Sequence, residues 1–215
     1  MTTISSDLLK FSAVQMAAEA DYLGVVEFQN RLAIQAALIR GNNRSSKFTE
    51  IQAEKFTDAL TGWSVVDHVS NTTTGFSGTL FKSNETGEFV LSFRSTEFAD
   101  DAARDNQATN TLEIKEHGWA FGQIADMEAW FQGLKDSGKL PPYAVYTVTG
   151  YSLGGHLATA FNLLRQQDGT AQQITSTYTF NGAGVLPGGD GQGVGAPGPH
   201  HAGRDRARFR GGRHL

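Results

Sequence analysis

The chain has 215 residues, 39% of them hydrophobic and 19% charged, with a formal net charge of −4 and no cysteine. That length reads as one domain able to close its own core without disulfide or metal staples. The missing cysteines exclude disulfides, thiol catalysis and Cys-ligated zinc, and the negative charge argues against nucleic acid as a partner.

Met1 to Asp7 lacks the basic and apolar blocks of a signal peptide, and no apolar run reaches the roughly 20 residues that span a bilayer. Two locations fit, the cytoplasm or export by a non-classical route. Residues 5–41 carry helical spacing, first through Leu8, Leu9, Phe11, Val14, Met16 and Ala17, then through Phe28, Leu32, Ile34, Ala37 and Leu38. Gly41-Asn42-Asn43 stops the second run, and a third helix is expected over 49–60. Three extended segments follow at 63–69, 75–82 and 89–94, the last two joined by a hairpin loop with Gly87 available for positive φ. Polar residues dominate 95–117, and an amphipathic helix returns over 119–134. A strand at 144–149, a glycine-bounded turn, a helix over 153–167 and a strand at 174–180 complete the pattern. Strand, helix, strand with a crossover of that length means a parallel pair. The expected architecture is therefore α/β: a central, mostly parallel sheet flanked by helices, with further helices at the N-terminus.

The turn Gly150-Tyr151-Ser152-Leu153-Gly154 is where the sequence carries chemistry. A serine hydroxyl is a poor nucleophile until a base takes its proton and donors await the developing oxyanion. Glycine at both ends lets a strand reverse into a helix within very few residues and leaves the Ser152 Oγ exposed above the sheet. The N–H of Leu153, at the helix N-terminus, then faces the forming oxyanion with the helix dipole behind it. Nothing in the sequence calls for a cofactor or a metal.

The segment Thr149-Gly150-Tyr151-Ser152-Leu153-Gly154-Gly155-His156-Leu157-Ala158 resembles the nucleophile segment of the class 3 lipases, a family of α/β-hydrolase fold. Leu91-Ser92-Phe93-Arg94-Ser95-Thr96-Glu97 resembles the family's Phe-Arg-Gly-Ser/Thr segment, and Thr179-Phe180-Asn181-Gly182-Ala183-Gly184 resembles the strand end after the nucleophile helix. The likeness covers residues 60–184. It implies Ser152 as nucleophile and Leu153 and Thr96 as oxyanion donors. Ser95 departs from the glycine usual at its position. The stretch 98–116 stands where the family carries its lid, and its few large apolar residues, Phe98, Leu112 and Ile114, favour an esterase over an interfacial lipase.

In that family an acid and then a histidine follow the serine. Asp168 sits at a helix end beside Gly169 and does not qualify, and His156 reads as a structural or supporting residue of the motif. His68 and His117 precede the serine. What remains is Asp190 or Asp205 as orienter and His200, His201 or His214 as base; Asp190 and His200 are taken as the pair. All five lie in an unusual tail. The last 30 residues hold five Arg and no Lys, with nine of the 25 Gly and three of the five Pro. Residues 1–186 are read as the hydrolase-like domain and 187–215 as the tail. Two origins fit the tail: a natural glycine-rich linker, or a frameshift or read-through of a GC-rich gene near Leu186, which sequencing of the source DNA separates.

The expected function is hydrolysis of carboxylic esters through an acyl-enzyme at Ser152, weakened where the usual Asp/His segment is lost. Acyl esters or lipids are the expected substrates. The alternative is a catalytically inactive lipase-like protein that binds lipid or acyl groups without turnover.

Overall fold

In β2 (Gly78–Ser83) and β3 (Phe89–Phe93) neighbouring residues on a strand point to opposite faces, yet both faces are apolar. Leu80 pairs with Leu91 and Phe81 with Val90 across the ladder, and all four are fully buried. A sheet of this composition must be covered on both sides. The computed structural model, which describes residues 4–22, 25, 28–42, 47–95 and 119–182, shows how the cover is arranged.

The sheet has five strands in chain order: β1 (Trp63–Val69), β2, β3, β4 (Tyr146–Tyr151) and β5 (Ile174–Phe180). β3–β4 and β4–β5 are parallel, whereas β1–β2 and β2–β3 are antiparallel. The sheet is thus mixed rather than mostly parallel. The physical reason is connection length. The β2–β3 link is a tight hairpin, with Ser83 N–H donating to the Glu88 carbonyl and Gly87 at φ 75°, and so short a link joins only antiparallel strands.

Among the described residues five helices flank the sheet: α1 (Ile4–Ala18), α2 (Arg31–Arg40), α3 (Glu50–Phe56), α4 (Phe121–Asp136) and α5 (Leu153–Gln167). One core cluster joins Phe11, Val14, Leu38, Phe56, Phe81 and Val90; the other joins Phe76, Leu91, Met127, Phe131, Tyr146 and Phe161. Because 80/81 and 90/91 divide between the two, α1–α3 cover one face and α4–α5 the other. No helix among the described residues is long and apolar enough to cross a membrane.

The two helical runs expected over 5–41 correspond to α1 and α2. Asn30 caps α2, its side chain accepting the Ala33 N–H, so Phe28 falls before the helix. α3 is shorter than expected. It starts on a Thr49/Gln52 capping box, and past its end the Asp58 carboxylate accepts the N–H groups of Leu60 and Thr61 in place of helical carbonyls. The expected segments at 63–69, 153–167 and 174–180 coincide with β1, α5 and β5.

Candidate active site

β4 feeds into α5 through Ser152 with no intervening loop. Ser152 adopts φ 53° and ψ −117°, left-handed backbone that a non-glycine residue holds only where its surroundings enforce it. The enforcement is visible on three sides. A Cβ on Gly150 would lie 2.0 Å from the Gly154 carbonyl oxygen, and one on Gly154 would lie 2.1 Å from that of Phe93. A Cβ on Gly155 would lie 2.7 Å from the Cα of Gly182, just beyond β5. Only glycine lets these backbones touch. The Ser152 N–H then donates to the Phe180 carbonyl at 2.9 Å, and the Ser152 carbonyl accepts the N–H groups of Gly155 and His156.

This geometry leaves two groups unused. The Ser152 side chain makes no capping bond, and the Leu153 N–H, first in α5, donates to no acceptor among the described residues. A hydroxyl that makes no capping bond, beside an N–H with no acceptor among the described residues, can attack a carbonyl carbon at a helix N-terminus while its oxygen is received.

A buried polar chain braces the strand beside this turn. Glu19, just past α1, is 4% exposed. Its carboxylate accepts the Ser95 hydroxyl at 2.6 Å, the Ser95 N–H at 3.1 Å and the Gln15 amide at 2.8 Å. The Gln15 amide also donates to the Phe93 carbonyl, while the Gln15 side-chain oxygen accepts the hydroxyl of Thr149, which pairs with Ser92. Burial raises the Glu19 pKa above its ordinary range, and the bonds from Ser95 and Gln15 pull it back. The Ser95 side chain that departs from glycine therefore has a partner. Nothing local in the sequence marks Glu19 or Gln15 for this role, because Ser95 lies 76 residues from Glu19.

Of the histidines, His156 is fully buried on α5, its Nε2 accepting the Ala120 N–H at 3.4 Å. His68 points into the first core with Nδ1 2.9 Å from Thr79 Oγ1. His156 meets Ser152 through its backbone N–H, which donates to the Ser152 carbonyl at 3.3 Å. Asp168 is engaged with Thr170 and Arg165 at the end of α5. Thr96, the stretch 98–116, His117, and Asp190, His200, His201, Asp205 and His214 lie outside the described residues. Beside the elbow, Ser12, Gln15, Met16, Glu19, Tyr151 and Phe180 line an open cleft of about 200 Å³. Larger clefts lie against α2 and α3 and hold none of this chemistry.

No family model matches the chain, and no curated protein is significantly similar to it. Among solved structures the chain is similar to a lipase from Rhizopus microsporus var. chinensis, at 16% identity and a TM-score of 0.43 over 83% of this chain. The chain spans 58% of that lipase's length.

Proposed function

We propose that the chain is a serine hydrolase of α/β-hydrolase type that cleaves carboxylic esters through an acyl-enzyme at Ser152. The observation that carries the reading is the Ser152 backbone, held at φ 53° between β4 and α5 by glycine-only contacts, with its hydroxyl making no capping bond. In this reading Ser152 attacks the ester carbonyl, Leu153 and Thr96 receive the oxyanion through their N–H groups, and Asp190 and His200 orient and supply the base. The resemblance to the class 3 lipases is the second support. The polar 98–116 segment, with few large apolar residues, favours an esterase over an interfacial lipase.

The test is turnover of a p-nitrophenyl acyl ester. Wild-type turnover that falls to background in Ser152→Ala is the expected outcome; equal rates in the two overturn the assignment. Without a base only about 10³ to 10⁴-fold over water remains, from binding and oxyanion stabilisation. One observation favours a second reading: the rings of the two described histidines, His68 and His156, hydrogen-bond to Thr79 and Ala120. The chain would then bind acyl groups without turnover. A fluorophosphonate probe separates the two, since labelling at Ser152 demands an activated serine.

A further inference from the structure

The end of β3 is gripped from two sides. On one side the Gly154 backbone packs on the Phe93 carbonyl so closely that a Cβ there would overlap it. On the other the Gln15 amide donates to that same carbonyl, and Glu19 receives both the N–H and the hydroxyl of Ser95. The Gln15 side-chain oxygen reaches one strand further, to Thr149 on β4, immediately before the elbow. Every group bonded to the Glu19 carboxylate donates to it, as an acceptor-only ionised carboxylate requires. A carboxylate this deep is expensive to hold unless it is hydrogen-bonded, and here Ser95 at the strand end supplies two donors and Gln15 on α1 the third.

We propose that Glu19 is a positioning residue for Ser152 chemistry: with Gln15 it fixes the β3 end at Ser95 against the Ser152 elbow, setting the distance between the two backbones that must both face the substrate carbonyl. The inference rests on the serine-hydrolase reading and deepens it. It also explains why Ser95 is not glycine, since the hydroxyl is one of the bonds that hold the strand end down.

The test compares wild type, Glu19→Ala, Glu19→Gln and Ser95→Ala on a p-nitrophenyl acyl ester. Active sites are counted by fluorophosphonate labelling, and thermal unfolding is recorded alongside. Misplacement of a reacting group by about 1 Å can lower turnover on the order of 10²-fold, and that loss in kcat per site is expected for Glu19→Ala, with KM little changed. Glu19→Gln keeps an acceptor for the Ser95 N–H and offers a donor to its hydroxyl, so it recovers most of the loss. Ser95→Ala removes one bond and leaves the backbone one; it loses about tenfold and serves where Glu19→Ala does not fold. A lowered Tm with unchanged kcat per site in Glu19→Ala and Ser95→Ala overturns the positioning role and leaves the hydrolase intact. A wild-type chain that neither turns over nor is labelled overturns the hydrolase reading itself, and the positioning role with it.

Discussion

His68 stands on β1 with Tyr22 and Phe28 edge-on to its ring, at 5.0 and 6.2 Å between centroids. Burial, with a smaller contribution from the Arg94 charge, pushes its pKa down from 6.5 to about 4. A base whose folded pKa is depressed stabilises the fold above its unfolded value and loses that stability as pH falls through the folded one. The window is therefore pH 6.5 down to 4, and the difference corresponds to roughly 3 kcal/mol. Tm is expected to drop across that window, and His68→Asn to flatten the drop; a parallel pair of Tm–pH curves would refute it. Glu19 works with the opposite sign, its contribution full below pH 4.5 and lost as pH rises through its raised value. At this scale the sequence was most legible in the turn at Ser152, where a β-rich run leads in, glycines bound the turn and an apolar helix leads out. It was least legible at Ser95, whose partner is remote along the chain.

Identical glycine-to-alanine changes on α4 and α5 carry opposite consequences. Gly133 lies exposed inside α4 with nothing within 4 Å of an added Cβ, so Gly133→Ala is expected to stabilise by about 0.5 to 1 kcal/mol. Gly154, second in α5, would drive a Cβ to 2.1 Å from the Phe93 carbonyl oxygen, and backbone cannot yield as a side chain does. Gly154→Ala is expected to destabilise by about 3 kcal/mol or more, read as a shift of the urea midpoint in the other direction. Propensity alone ranks the two substitutions alike; tertiary approach separates them. The same distinction explains which elements the sequence revealed. α5 and β5 matched because a buried helix face and a β-branched strand are local signals. The end of α3 did not, because the Asp58 carboxylate takes the N–H groups of Leu60 and Thr61 where the expected helix would have continued.

Across the whole molecule the sheet separates two cores, and the one under α4 and α5 is built on aromatic rings. Phe161 is fully buried, with ring centroids 4.9 Å from Phe131 and 5.7 Å from Phe93, and the Arg165 guanidinium 4.8 Å from its ring. Phe161→Ala is expected to lower the unfolding free energy by about 3 to 5 kcal/mol in urea titration, and a change under about 1 kcal/mol would show that this core collapses to fill the hole. The α/β class and the strand–helix–strand unit were readable from periodicity. The antiparallel half of the sheet was readable only by following the hairpin to its topological end. Spatial order and chain order coincide in this sheet, β1 through β5. A chain emerging from a ribosome thus meets each strand's partner already made, and the sheet grows one edge at a time. The Ser152 N–H, however, is held by the Phe180 carbonyl at the far end of the last strand. Synthesis therefore supplies the contacts of Gly150 and Gly154 first, and the acceptor for the Ser152 N–H arrives only with the end of β5.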